Sequence, residues 1–216
     1  VDKKTDGISM LLVDVEDAKD QDALEMKSID KTSTNLSSAF EVWLEDLRVP
    51  EENVIGEEHK GFYNLLDGLN DERLVIAAEC IGHSKLAIDR AVEYADEREV
   101  FDRQIGSNQS IQHPLAEAYM RTLSVKQTVY RTAEMMDSLD RQQVGTLANS
   151  SNYLASEVAF DAADAAVQTF GGFGIAREYD VERLFRDARL AKIAPISQQL
   201  ALNYVGEKAL GLPRSF

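Results

Sequence analysis

The sequence predicts a mainly α protein, an antiparallel four-helix bundle preceded by a fragment of a β-domain. Three observations carry that expectation. Up to about residue 60 the apolar residues alternate or gather in short runs, as they do in strands. From about Gly61 onward they recur at spacings of three, four and seven, the signature of one helix face. Glycines at Gly106, Gly145 and Gly171–Gly174 then cut the helical pattern into long rods with short links, which must run antiparallel.

The elements follow in order. "GISMLLVDV" (Gly7–Val15) is a compact apolar run. "SAFEVWLEDLRVP" (Ser38–Pro50) sets Phe40, Val42 and Leu44 against Glu41, Trp43 and Glu45, a strand with one buried face. A polar, charged connection lies between them. Two or three strands do not make a stable sheet alone, so residues 1–60 read as the C-terminal part of a larger β-domain. The chain starts at Val1 directly before a strand and reads as an N-terminal truncation.

Residues 61–216 read as the four-helix domain. On the first helix Leu74, Ala78, Ile81, Ile88, Val92 and Ala95 share a face, and Asn70 or Asp71 suits its N-cap. The second carries Ile111, Leu115, Ala118, Val125, Val129, Met136 and Leu139. A third, alanine-rich helix runs from about Val144 to Phe170, with Leu147, Leu154, Val158, Ala162 and Ala165 in register. The fourth begins near Val181 and is interrupted at Pro195, because proline removes a helical hydrogen bond.

Composition removes several functions. Thirty-eight Asp and Glu against 23 Lys and Arg give a formal charge of −15, which argues against unaided binding of nucleic acid or an anionic membrane. The acidic excess serves solubility. No apolar run reaches the ~20 residues of a bilayer span, and no basic-then-apolar leader is present. A cytoplasmic protein is expected, or one of the mitochondrial matrix in a eukaryote. Cys80 is the only cysteine, so an intrachain disulfide is impossible, and no metal site is expected. His83 lies one turn from Cys80, yet two ligands do not make a zinc site, and the pair reads as ordinary helix residues.

Five motifs, in order, say more than the periodicity. They are "LEDLRVPEENVIGEEHKGF" (Leu44–Phe62), "NDERLVIAAECIG" (Asn70–Gly82), "REVFDRQIGSNQSIQ" (Arg98–Gln112), "QTFGGFGIAREYDVERLFRDAR" (Gln168–Arg189) and "IAPISQQLAL" (Ile193–Leu202). With them the chain resembles the acyl-CoA dehydrogenase family, across the end of that family's middle β-domain and all of its C-terminal four-helix domain. The resemblance implies FAD as cofactor and an acyl-CoA thioester as substrate. A carboxylate takes the Cα proton while a hydride leaves Cβ for the flavin, giving a trans-2-enoyl-CoA. It also implies an electron-transfer flavoprotein as acceptor and a homo-oligomer, a dimer of dimers, in which adenosine contacts come from a neighbour. Without the rest of such a protein, this chain alone is expected to turn over nothing.

The same resemblance assigns residues. Arg98, Phe101 and Gln109 stand at the contacts to the FAD pyrophosphate and adenosine, and an arginine suits a diphosphate through its fixed fork of donors. The usual glycine after the phenylalanine is Asp102 here, unfavourable beside phosphate unless it points away or pairs with Arg103. Gln168, Gly171 and Gly172 match the second adenosine-side contact, where glycine lets backbone approach a ligand. By pattern alone that cluster is a helix stop. Arg186 and Asp187 read as an ion-paired scaffold.

The base is the departure. Many members carry it as the Glu of a Glu-Gly-Thr near the C-terminus, and here Pro195, Ile196 and Ser197 occupy those positions. Ser197 and Gln199 keep flavin-side places. Members resembling the isovaleryl- and long-chain enzymes put the base on the first helix, directly before an arginine. Glu72-Arg73-Leu74 fits that pattern, so Glu72 is the expected base and Arg73 its neighbour in the substrate pocket. Without the resemblance, Glu72 reads as an acid favoured by the helix dipole in a first turn. Two alternatives stay open: a non-catalytic assembly subunit, or an oxygen-reactive oxidase or monooxygenase of the same fold.

Overall fold

The computed structural model describes residues 6–34 and 36–215. The chain is mainly α and divides into two compact units, Val1–Leu69 and Asn70–Phe216. No helix among the described residues is long and apolar enough to cross a membrane.

In the first unit β1 (Met10–Leu11) pairs antiparallel with β4 (Val54–Ile55), and β2 (Leu24–Ile29) pairs antiparallel with β3 (Ala39–Leu44). The apolar run Gly7–Val15 is therefore not one strand. Asp14 interrupts it, because its carboxylate accepts from the Glu16 and Asp17 N–H groups and caps α1 (Val15–Asp20). β2 falls in the segment expected to be a polar connection. Its register aligns Leu24 with Leu44, Met26 with Val42 and Ser28 with Phe40 on one face. The alternation in β3 is thus real, but its apolar face is not buried: Phe40, Val42 and Leu44 are all exposed. Two strands supply no second layer, and none covers this face among the described residues.

The boundary between the units falls inside α2 (Gly61–Glu97), so Asn70 and Asp71 lie well within a helix and cap nothing. From Leu74 the buried stripe is Leu74, Ala77, Ile81, Ser84, Ile88, Ala91 and Ala95, alternating steps of three and four; Ala78 and Val92 are exposed. α3 (Gln109–Met135) buries Leu115, Ala118, Thr122, Val125, Val129 and Thr132 in the same rhythm. Thr122 and Thr132 escape an apolar count because their hydroxyls find partners. Thr122 Oγ1 donates to the Ala118 carbonyl and sits 2.5 Å from Ser84 Oγ, joining α3 to α2. Thr132 Oγ1 donates to the Thr128 carbonyl and accepts from Ser151 of α4 at 3.2 Å.

α4 (Arg141–Phe170) starts in a capping box, Asp140 accepting from the Gln143 N–H while Gln143 accepts from the Asp140 N–H. It packs against α3, α5 (Val181–Ala191) and α6 (Gln198–Lys208), so most of its circumference is interior. That crowding selects small residues: Ala148, Ala155, Ala159, Ala162, Ala163 and Ala166 are fully buried, whereas Leu154 is pushed out to solvent. α5 and α6 are the two parts of the fourth rod. The break spans Lys192–Ser197, contains the cis Ala194–Pro195 bond, and ends where Ser197 caps α6. A short hairpin, β5 (Glu99–Val100) with β6 (Arg103–Gln104), links α2 to α3. Its two turn residues, Phe101 and Asp102, both have left-handed φ, 55° and 63°, as a tight two-residue hairpin demands.

Candidate functional site

A cavity of about 470 Å³ opens between the end of α2, the hairpin and the glycine turn after α4. Arg98, Gly171 and Gly172, far apart in sequence, all line it. Its apolar wall is an aromatic stack: Tyr94 lies parallel to Phe170 at 4.0 Å between centroids, and Tyr179 packs edge-on to both. The helix stops at Gly171 because its φ is +60°, which only glycine adopts freely, and its N–H returns to the Val167 and Gln168 carbonyls. A Cβ placed on Gly171 or Gly172 would meet nothing within 4 Å, so both present bare backbone to open space. Gly174 is different, since its Cβ would lie 2.4 Å from the Val167 carbonyl oxygen.

The other nucleotide-side candidates are not among the lining residues. Phe101 projects at the hairpin tip, 94% exposed; Gln109, the first residue of α3, and Gln168 are also exposed. Asp102 makes no ion pair with Arg103, whose guanidinium bonds Asn108 Oδ1 at 2.6 Å instead. The hairpin therefore turns that carboxylate out to solvent.

Glu72 and Arg73 sit side by side on α2 in opposite environments. Glu72 is exposed and has no hydrogen bond or ion pair among the described residues. Arg73 is buried, 8% exposed, with Nη1 donating to Asn70 Oδ1 at 2.8 Å. Burial holds its guanidinium below the ordinary arginine value, opposed by Tyr204 and by the Glu72 charge. From α4, Asn152 reaches the Arg73 carbonyl at 3.4 Å.

The segment around Pro195 proves to have a carboxylate neighbour that its own sequence lacks. Glu157 of α4 pairs with Lys192 at 2.7 Å and accepts from Gln198 Nε2 at 2.5 Å; Gln198 also bonds Ser156. Burial opposes the Glu157 charge, but the hydrogen bonds from Lys192 and Gln198 and the charges of Lys192 and Arg121 outweigh it, holding the carboxyl below its usual range. A carboxylate so engaged is a poor proton acceptor. It anchors the loop instead. Ser197 spends its oxygen on the Leu200 N–H, and Gln199 is exposed. Glu157 stands out in the sequence only as the one glutamate of an alanine-rich helix that also carries Asp161 and Asp164; its tie to Lys192 is a tertiary fact.

The scaffold on α5 is ion-paired, each group to a residue one turn away. Arg183 grips both oxygens of Asp180 at 2.6 and 2.7 Å and reaches Asp187 at 2.9 Å, while Arg186 grips Glu182 at 2.7 and 3.2 Å. His83 Nε2 bonds the Leu184 carbonyl at 2.7 Å, tying α2 to α5. Burial, with Glu79 nearby, pushes the Cys80 thiol up to about 12. Both side chains are used inside the bundle.

The chain is thus a broken four-rod bundle whose cavity is lined by Arg98 and rimmed by Gly171 and Gly172. Residues 59–210 match the family model described as the C-terminal domain of acyl-CoA dehydrogenase, and the chain belongs to the acyl-CoA dehydrogenase family. It is 39% identical over 177 residues to acyl-CoA dehydrogenase FadE12 of Mycobacterium tuberculosis, covering 82% of this chain and 46% of that protein. It is 34% identical over 191 residues to the caffeyl-CoA reductase-Etf complex subunit CarC of Acetobacterium woodii, covering 88% and 49%. The structure of butyryl-CoA dehydrogenase from Megasphaera elsdenii superposes with a TM-score of 0.89 at 30% identity, covering 96% and 53%. The chain spans about half the length of the curated relatives it matches.

Proposed function

We propose that the chain serves an FAD-dependent acyl-CoA dehydrogenase that converts an acyl-CoA thioester to the trans-2-enoyl-CoA, with Glu72 as the base. The observation that carries this reading is the meeting of Arg98 with the Gly171–Gly172 backbone in one aromatic-walled cavity, in a chain of this family. The residues fit the dinucleotide end of FAD. Arg98 offers a fork of donors to a diphosphate, the two glycines leave room that a Cβ would occupy, and the Tyr94–Phe170 stack gives an apolar surface. When bound, FAD supplies the hydride acceptor.

The remaining chemistry belongs to the chain. The Cα proton passes to a Glu72 carboxylate oxygen, the Cα–H electron pair left behind becomes the new Cα–Cβ π bond, and the Cβ–H pair departs with its hydrogen as hydride. Among the described residues Glu72 has no hydrogen bond or ion pair, which leaves it available for this, whereas Glu157 is held by Lys192 and Gln198. Arg73, the buried residue next to Glu72 on α2, is assigned in this reading to supply a fixed positive charge to the substrate pocket. Ser197, the cap of α6, and Gln199 in its first turn are assigned flavin-side hydrogen bonds in this reading.

An electron-transfer flavoprotein is the proposed electron acceptor, in keeping with the Etf complex named for the A. woodii relative. A homo-oligomer is proposed because α2 and α3 leave an apolar groove of about 610 Å³ between them, with Val92, Tyr119 and Met120 exposed along it. The same relative is named a reductase, so the reverse reaction on an enoyl-CoA is a second reading of one site. The test is Glu72→Gln in the complete flavoprotein: FAD is retained and flavin bleaching by acyl-CoA is lost. Undiminished bleaching would remove Glu72 from the role.

A further inference from the structure

The break between α5 and α6 has little backbone bonding of its own. Ile193 and Ala194 donate their N–H groups to the Leu190 carbonyl at 2.8 and 3.0 Å, and the Ser197 carbonyl accepts from Ala201 at 3.1 Å. Pro195 and Ile196, between them, make no backbone-to-backbone hydrogen bond among the described residues. A segment so poor in backbone bonds opens easily unless side chains hold its ends.

Both ends are held by one oxygen atom of α4. Lys192, the C-cap of α5, brings Nζ to 2.7 Å from Glu157 Oε1, and Gln198, the first residue of α6, donates Nε2 to the same Oε1 at 2.5 Å. Each donor has a second hold on α4. Gln198 also donates to Ser156 Oγ at 3.2 Å. Lys192 Nζ lies 5.0 Å from the centroid of the Phe160 ring, which packs on Phe185 of α5 at 5.1 Å between centroids. The Lys192 and Glu157 side chains are only 21% and 25% exposed, so water screens this pair less than a surface pair. Asp161, one turn on from Glu157, is itself paired with Arg121 of α3. The chain therefore leaves Glu157 at Lys192 and returns to it at Gln198. Ser197 is the residue before that return and Gln199 the residue after it.

We propose that Glu157 is a positioning residue that closes the α5–α6 break into a fixed loop and so sets where Ser197 and Gln199 stand. Its consequence for the flavin rests on the flavin-side assignment of those two residues. Lys192 and Gln198 move apart only by giving up a charge-assisted bond to the shared oxygen. Released, the loop carries Ser197 and Gln199 with it, and a misplacement of about 1 Å lowers rates by up to roughly a hundredfold.

The experiment uses the complete flavoprotein with FAD bound. Glu157→Ala removes the shared oxygen, Glu157→Gln keeps an oxygen without the charge, and Lys192→Met leaves α4 intact. In Glu157→Ala and Lys192→Met, amide hydrogen exchange should quicken roughly tenfold at Ile193, Ala194, Leu200 and Ala201, whose N–H groups are bonded at the two ends of the break, with α2 and α3 unchanged. The acyl-CoA is whichever of butyryl-, isovaleryl- or octanoyl-CoA bleaches the wild-type flavin fastest. Glu157→Ala should retain FAD, leave KM nearly unchanged and slow single-turnover flavin reduction roughly tenfold, with Glu157→Gln between it and wild type. Added to a Ser197→Ala/Gln199→Ala protein, Glu157→Ala should slow reduction little further, because it acts through those residues. Unchanged exchange at the break in both Glu157→Ala and Lys192→Met overturns the proposal. So does a wild-type reduction rate in Glu157→Ala where Ser197→Ala/Gln199→Ala is slow, since a merely structural pair would lower the melting temperature and leave the flavin step alone. If Ser197→Ala/Gln199→Ala keeps the wild-type flavin spectrum and reduction rate, the flavin-side assignment falls; exchange quickened only at the break then still supports the fixed loop, and unchanged exchange overturns it.

Discussion

Two glycines two residues apart should respond oppositely to the same substitution. At Gly174 an alanine Cβ would stand 2.4 Å from the Val167 carbonyl oxygen and 3.0 Å from its Cα, both backbone atoms of α4. Ordinary contact lies near 3.5–4.0 Å, so the turn must shift by about 1 Å. Overpacking of this kind costs about 1–3 kcal/mol. At Gly172 the added methyl meets nothing within 4 Å, so the fold should be unaffected. The methyl would, however, enter the cavity shared with Arg98. If the bare backbone there approaches a diphosphate, losing a charge-assisted hydrogen bond costs about 1.5–3 kcal/mol, roughly ten- to a hundredfold in FAD affinity. The assay is FAD titration of the deflavinated complete protein, with a thermal melt of each apoprotein. Gly172→Ala should melt like wild type and bind FAD weakly; Gly174→Ala should melt lower. A Gly172→Ala protein with wild-type FAD affinity would refute the assignment of this cavity to the cofactor.

Other expectations follow from single contacts. Glu157 has a depressed pKa in the folded chain, so its pairing stabilises the fold above the unfolded glutamate value, about 4.3, and is lost as pH falls through the folded value. Glu157→Gln should therefore melt lower than wild type near neutral pH, with the two curves converging in acid; parallel curves across that range would contradict the pairing. Asp102→Gly relieves a left-handed φ of 63° and should raise the stability by about 0.5–1 kcal/mol, read as an upward shift in melting temperature. It should also bind FAD at least as tightly, since it removes a carboxylate from the hairpin that follows Arg98.

Much of the fold was legible along the chain. The switch near Gly61 from alternation to helical spacing marks a real change of structure, and Pro195 does lie in a break of the fourth rod. The misjudged positions share a cause. Alternation in β3 shows which residues share a face, but burial of that face depends on a second layer. Leu147 and Leu154 look like core residues by hydropathy, yet α4 is enclosed by α3, α5 and α6, and small side chains take the interior. Thr122 and Thr132 look polar, yet their hydroxyls are satisfied within the bundle. The β2 strand was visible in retrospect, since Leu24, Met26 and Ser28 alternate with Glu25 and Lys27. α1 was visible too, through Asp14 as a cap.

By itself the sequence determined the periodicity, and with it the rods, their order and the glycine stop after Phe170, because these depend on local backbone preference and on spacing along one chain. The ordered motifs carried the family resemblance, and Pro195 marked the missing carboxylate. Only the tertiary structure decided which groups meet. It brought Arg98 to Gly171 and Gly172, left Phe101, Gln109 and Gln168 outside that cavity, and gave the Pro195 segment a carboxylate from α4. It also changed what Glu72 means. A helix beginning at Gly61 puts Glu72 far past the first turn, where the helix dipole no longer explains an acid. The physical reason is common to all of these: spacing governs which face a residue occupies, whereas an electrostatic environment is made by groups distant in sequence and close in space.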